Sequence, residues 1–163
     1  MSDSAAPNDD HHGAATAAGE RVVRRGRVAW LTHPPSGTAR VEAESHAFGD
    51  LPVTLLKSVD HEARPGELLA VAHAMFMAAA VSMVLELEGS PANEIVVEAT
   101  CTFAGPLPHR ELLALGLDVS GRVPGLDAAG FRRLVTSARE SSLRGAGARQ
   151  DLPGELSAKL EAV

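Results

Sequence analysis

The sequence predicts an α+β fold with the element order βββ-α-ββ-α-β. Short segments in which apolar and polar residues alternate predict strands before residue 57, between residues 94 and 123, and after residue 156. Two longer segments with helical composition or helical spacing separate these strands. An order in which single helices separate groups of strands is typical of folds whose helices pack on sheets. The 163 residues, of which 45% are hydrophobic, suffice for one core, so we expect a single domain over residues 21–163.

Composition and charge exclude several functional classes. The net charge of −6 and the lack of a basic run with interleaved aromatic residues argue against a nucleic-acid-binding surface. The single cysteine, Cys101, cannot form an internal disulfide. A chain without disulfides is typical of proteins in a reducing compartment. Residues 1–20 have neither a leader pattern nor apolar periodicity, so we expect a disordered tail and a cytoplasmic protein.

The first five predicted strands include two hairpins. Residues 22–30 and 39–44 flank a Pro-Pro-Ser-Gly turn, and the alternating charges of the second segment indicate one wet face and one dry face. A third short strand is predicted over residues 51–56. Residues 94–103 and 111–123 flank a Gly-Pro-Leu-Pro turn and form the second hairpin.

The first predicted helix, residues 65–89, is the most apolar segment of the chain. It begins at a proline, ends at a glycine and has no charged residue from Leu68 to Leu85. A helix that is apolar all round must be buried all round, either by a membrane or by the protein's own sheets and a partner chain. His73 and Ser82 interrupt the apolar run, and no Trp, Tyr or positive cluster flanks it, so we expect no membrane span.

The second predicted helix begins after Asp127, an N-cap residue, and ends near residue 142. The side chains expected to face the core from this helix are Phe131, Leu134, Val135 and Ala138. Residues 156–163 then alternate as a last strand.

Two motifs resemble the OsmC/Ohr family of organic hydroperoxide peroxidases. Residues 65–74 read P-G-E-L-L-A-V-A-H-A, which is similar to the start of that family's long helix. Residues 123–127 read V-P-G-L-D and are followed by Phe131, which resembles the family's junction between a strand and the second helix. The resemblance covers about residues 21–163. It implies an OsmC-like fold and an intertwined homodimer in which two long helices pack between sheets.

The resemblance also assigns active-site positions, and this chain lacks the family's residue at each of them. Peroxidases of that family need a thiolate, a resolving thiol and an arginine–glutamate pair that lowers the pKa of the first thiol. The peroxidatic cysteine falls on Phe76 and the resolving cysteine on Ser142. The glutamate falls on Gly66 and the arginine near Ser58. We therefore do not expect peroxidase activity of the family type.

We interpret the chain as a non-redox homodimer with a degenerate peroxidase site, in which the vacated pocket binds a small apolar molecule. The residues expected around this pocket are Lys57, His73, Phe76, Met77 and Ser142. The sequence shows no metal-ligand cluster and implies no cofactor.

Two enzymatic alternatives stay open at this point. One is a hydroperoxide-detoxifying peroxidase that uses Cys101, although a cysteine on the inward side of a strand is most often an inert core residue with a raised pKa. The other is an acid–base enzyme that uses His73, since imidazole titrates near neutral pH. The simpler interpretation of His73 is a buried histidine that is hydrogen-bonded to backbone.

Overall fold

A computed structural model describes residues 24–30, 39–49, 51–53, 63–106 and 109–162. The elements, in chain order, are β1 (Gly26–Trp30), β2 (Ala39–Ala43), β3 (Leu51–Val53), α1 (Pro65–Leu87), β4 (Glu94–Ala104), β5 (Glu111–Arg122), α2 (Ala128–Gly145) and β6 (Leu156–Leu160). The predicted order βββ-α-ββ-α-β and the α+β class are confirmed. The predicted tail of residues 1–20 lies outside the described residues, as do Lys57 and Ser58.

The six strands form two three-stranded sheets. The first sheet has the order β1-β2-β3 with antiparallel neighbours. The second has the order β4-β5-β6, in which β4 pairs antiparallel with β5. The pairing of β5 with β6 is parallel, because α2 carries the chain back across the sheet between them. The antiparallel pairing of β1 with β2 and of β4 with β5 confirms the two predicted hairpins.

Several element ends differ from the expectation, among them the end of α1, which lies at Leu87 and not at residue 89. α2 ends at Gly145 and is almost one turn longer than predicted, because Leu143 is buried and its packing favours continuation of the helix. β6 ends at Leu160, so the alternation after that residue does not extend the strand.

The core lies between the two helices and the inner face of the second sheet. Asp127 is the N-cap of α2, as predicted, since its carboxylate accepts a hydrogen bond from the backbone N–H of Gly130 at 2.6 Å. Phe131 follows in the first turns of α2 and is fully buried. Its ring lies over Gly121, where an added Cβ would be 3.0 Å from Phe131 Cζ. The missing side chain at Gly121 therefore makes room for the ring.

α1 carries two apolar stripes on opposite sides. The first is buried in the core and consists of His73, Met77, Val81 and Leu85. The second, which we call the outer stripe, is exposed in the single chain and consists of Val71, Met75, Ala79, Met83 and Leu87. Each stripe repeats every four residues, and an offset of two residues corresponds to about 200° around a helix. The two stripes therefore lie back to back.

We expected α1 to be buried on nearly every face. Within a single chain, it is buried on one side only. By length and composition alone α1 could cross a membrane, and 22% of its most apolar 18-residue window is buried inside the chain. α2 and β4 pack against the buried side of α1. Among the described residues, no second layer of structure covers the outer stripe.

Candidate functional site

The two positions that the resemblance assigns to cysteines lie where α1 contacts α2. The ring of Phe76 on α1 lies against the last turn of α2, since a Cβ built at Gly145 would be 3.1 Å from Phe76 Cδ1. Ser142 lies one turn before Gly145 and is buried. An aromatic ring and a hydroxyl supply neither the attacking thiolate nor the resolving thiol of a cysteine peroxidase.

His73 lies on the buried stripe of α1. It is 3% exposed, and its Nδ1 has no hydrogen-bond partner among the described residues. Burial lowers the pKa of the imidazole, so the neutral form dominates at pH 7. The expected burial of His73 is thus observed, but the expected hydrogen bond to backbone is not observed at Nδ1.

Of the residues predicted to surround one pocket, His73, Phe76 and Met77 lie within about one turn of α1, and Ser142 lies on α2. Phe76 and Ser142 lie at the contact between α1 and α2, whereas Met77 is fully buried in the core beside His73. Lys57 lies outside the described residues. A shared pocket formed by these residues therefore stays a prediction.

Gly66, the position of the family's glutamate, lies against an aromatic ring. A Cβ built at Gly66 would be 2.9 Å from Cε2 of Phe103, which lies on the inner face of β4. Phe103 thus occupies the space that a side chain at residue 66 would need. The resemblance assigns the glutamate of the peroxidases' arginine–glutamate pair to this position. Here an apolar contact joins α1 to β4 instead.

A cavity of about 580 Å³ lies beside this contact, between the N-terminal turns of α1 and the end of β4. Its apolar wall includes Leu69, Ala70, Ala99 and Phe103. Cys101 also lines it. His73, Phe76, Met77 and Ser142 are not among the lining residues. The structure therefore places open space at the start of α1, two to three turns before Phe76.

Cys101 lies on the inward-facing side of β4, as the alternation predicts, and is half-buried. Burial raises the pKa of its thiol, so the thiolate is scarce at neutral pH. The expected inert core cysteine is therefore also part of a cavity wall.

The lining of the cavity also includes three exposed charged side chains, Arg64, Glu67 and Arg110. Glu67 Oε2 accepts a hydrogen bond from the backbone N–H of Arg64 at 2.9 Å, which caps the first turn of α1. Arg110 makes no hydrogen bond or ion pair with another described residue. Two guanidinium groups and one carboxylate leave an excess of positive charge among the lining residues.

Metal binding finds no support in the described ranges, where no three His, Cys, Asp or Glu side chains cluster to hold an ion.

Sequence reasoning missed Phe103 and Arg110 as site residues. Phe103 alternates with Cys101 and Ala99 on the inward side of β4, so the strand pattern contained a signal for it. Arg110 precedes β5 directly, and its position beside the start of α1 depends on how the helix packs on the sheet. No local pattern reveals such a contact.

No protein family model matches this sequence, and no curated protein matches it. Solved structures match over most of the chain. An organic hydroperoxide resistance protein from Elizabethkingia anophelis, with crystallant-derived thiocyanate bound, has a TM-score of 0.63 and 14% sequence identity, covering 88% of this chain and 99% of that one. For the organic hydroperoxide resistance protein OhrB of Bacillus subtilis, the TM-score is 0.60 and the identity 12%, with coverages of 86% and 98%.

A third solved structure comes from Vibrio cholerae and is described as an organic hydroperoxide resistance protein with captopril bound in one of its active sites. Its TM-score is 0.58 at 16% identity, and the match covers 88% of this chain and 94% of that one. At such identities the similarity is evidence of a shared fold and of nothing finer.

Proposed function

From the OsmC/Ohr-like fold of this chain, we propose that it is a non-redox protein that binds a small apolar molecule and acts as a homodimer. The proposal is carried by the identity of two residues, because the motif resemblance assigns the peroxidases' thiols to Phe76 and Ser142. In thiol-based peroxide reduction, a thiolate attacks a peroxide oxygen and becomes a sulfenic acid, which a second thiol converts to a disulfide. Neither a phenyl ring nor a hydroxyl can take part in these steps.

Cys101 does not replace the missing pair. It lies on β4 rather than on α1 or α2, and burial raises its pKa, so little thiolate is present at neutral pH. Since it is the only cysteine of the chain, no resolving thiol exists in the same subunit. A peroxidase that works through Cys101 would therefore need both a lower thiol pKa and an external thiol.

An acid–base role for His73 is the second candidate, and the unpaired Nδ1 is the observation that favours it. The neutral imidazole could accept a proton there. However, His73 is buried and does not line the cavity at the start of α1, so a substrate in that cavity would not reach it.

The cavity at the start of α1 supports ligand binding. Its volume of about 580 Å³ lies within the range of small-molecule sites, and its wall is largely apolar, with three charged side chains in the lining. Captopril in an active site of the Vibrio cholerae protein is an example of a small organic molecule bound by this fold. In this chain, the proposed ligand lies between Ala70 on α1 and Ala99 on β4.

The proposed homodimer follows from the outer stripe of α1. Apolar side chains line this stripe over its whole length, and a second copy of the chain offers an equally apolar surface. Val28 on β1 is also exposed, so the first sheet likewise has an uncovered apolar side chain. A bilayer is the poorer partner. If α1 spanned a bilayer, it would carry the second sheet into hydrocarbon, together with the polar outer face that includes Glu98 and Lys159.

Binding of 1-decanol tests the ligand proposal, with Cys101 as the reporter. Because Cys101 lines the cavity, a bound alcohol is expected to shield it from N-ethylmaleimide. The labelling rate should fall about tenfold when free 1-decanol is at ten times its Kd. In Ala70→Leu the larger side chain fills part of the cavity, so we expect the Kd to rise about tenfold or more.

Ala129→Leu is the matched control, because Ala129 is exposed on α2 and lies away from the cavity. It should leave both the protection and the Kd unchanged. If 1-decanol does not protect Cys101 in the native chain, or if Ala70→Leu binds as well as the native chain does, ligand binding in this cavity is ruled out.

A further inference from the structure

The imidazole of His73 is a buried polar group that the described core leaves without a partner. The side chain is 3% exposed, and its Nδ1 makes no hydrogen bond with another described residue. We infer that protonation of His73 loosens the packing of α1 on α2 and β4, so that mild acid opens this part of the fold. Such a switch goes beyond the proposed binding function, because it operates whether or not the cavity holds a ligand.

The two elements that pack against α1 face it with uncharged side chains. These elements are α2 and β4. The side chains concerned are Ile95, Val97, Ala99, Cys101 and Phe103 on the inward side of β4, and Phe131, Val135, Ala138, Ser142 and Leu143 on the buried side of α2. The one titratable group among them is the thiol of Cys101, whose pKa burial raises, so it is neutral in acid. An imidazolium in the closed structure would therefore lack a counter-charge on either element.

The charged residues of α2 and β4 lie elsewhere. Glu94 and Glu98 are exposed on the outer face of β4, and the charged residues of α2 are exposed except for the half-buried Arg139. The guanidinium group of Arg139 donates to the backbone carbonyls of Leu152 and Gly154. None of these groups therefore compensates a charge on His73.

The cavity at the start of α1 comes within one turn of His73. Ala70 lines this cavity and lies three residues before His73, on the same side of the helix. Arg64, Glu67 and Arg110 also line it, so its net charge is positive and does not favour a further cation. Displacement of α1 beside this open space would let the imidazole reach water.

The direction of the switch follows from proton linkage. Burial lowers the pKa of His73 in the closed structure. Once α1 has loosened, the ring meets water and regains the ordinary histidine pKa of about 6.5. Between these two pKa values the opened form holds one proton more than the closed form, so its population rises by up to about tenfold for each pH unit of acidification. Well above pH 6.5 both forms are neutral, and the closed form has its full stability.

Hydrogen–deuterium exchange of the α1 amides in the full chain tests this inference at pH 7 and pH 5. Each exchange rate is divided by the intrinsic rate at the same pH, so that only the opening equilibrium is compared. We expect the α1 amides of the native chain to lose about tenfold in protection between pH 7 and pH 5. In His73→Leu the loss should stay below about twofold, because leucine takes up no proton. His73→Gln is polar but equally unable to titrate near neutral pH, and it should give the same result as His73→Leu.

His109→Gln is the matched control, since His109 is an exposed histidine in the turn before β5. It should retain the tenfold loss of protection. Three results would each overturn the inference: equal protection of the native chain at pH 7 and pH 5, a tenfold loss that persists in a folded His73 variant, or a loss that disappears in His109→Gln. Because glutamine and leucine differ in polarity and size, one of the two variants suffices for this comparison if the other does not fold.

Discussion

Replacement of both Met75 and Met83 by glutamate is expected to convert the protein from a dimer to a monomer. Both side chains lie on the outer stripe of α1 and are 68% and 63% exposed in the single chain. In the proposed dimer a second copy covers them, and each glutamate would have to leave water without a charged partner. A two-fold interface contains every substitution twice. We expect the dimer Kd to rise at least about 1,000-fold, which corresponds to about 4 kcal/mol.

Light scattering coupled to size-exclusion chromatography, at micromolar protein concentration, measures this change. The matched control is Ala129→Glu with Ser137→Glu, which adds the same charge to the exposed face of α2 and should leave a dimer. A native chain that elutes as a monomer contradicts the proposal. A native chain that binds to liposomes through the outer stripe would also contradict it and would identify a membrane as the partner.

Phe131→Ala is expected to cause a large loss of stability. The ring is fully buried and lies over Gly121, where Ile95 Cδ1 also approaches to 2.8 Å from an added Cβ. Because Gly121 has no side chain, it cannot fill the space that the ring leaves. Deletion of a fully buried phenylalanine ring costs about 3–5 kcal/mol, and we expect a value in this range.

Urea unfolding at a fixed protein concentration measures the free energy of unfolding, since the stability of a dimer depends on concentration. Phe48→Ala removes the same ring from a site that is 47% exposed, and it should change the free energy of unfolding by less than about 0.5 kcal/mol. A loss below about 1 kcal/mol in Phe131→Ala would show that the contact between α2 and β5 is not the centre of the core.

Local signals in the sequence account for most of the fold. Asp127 marks the start of α2 because its carboxylate satisfies a backbone N–H, and this requirement does not depend on distant residues. The apolar alternation of β4 places Cys101 and Phe103 on the inward side for the same local reason. α1 was recognisable from its composition, but composition could not distinguish the buried stripe from the outer stripe. Both stripes are apolar, and only the packing of α2 and β4 decides between them.

The site was less predictable than the fold. The placement of Phe76 on α1 and of Ser142 on α2 could be predicted from motifs within the two helices, whereas their correspondence to thiol positions stays a prediction. The cavity could not be predicted, since it depends on Phe103 and Arg110 lying beside the first turns of α1. These contacts join residues about 40 positions apart in sequence, and their geometry is set by the packing of a helix on a sheet.

We propose that the fold of the hydroperoxide resistance proteins carries no thiol peroxidase site in this chain. Consumption of cumene hydroperoxide in the presence of dithiothreitol tests this proposal most directly. If Phe76 and Ser142 occupy the thiol positions, as the resemblance implies, the native chain should consume peroxide at the rate of the protein-free reaction, and Cys101→Ser should behave identically. Catalytic turnover by the native chain that disappears in Cys101→Ser would contradict the claim and would establish Cys101 as a peroxidatic residue.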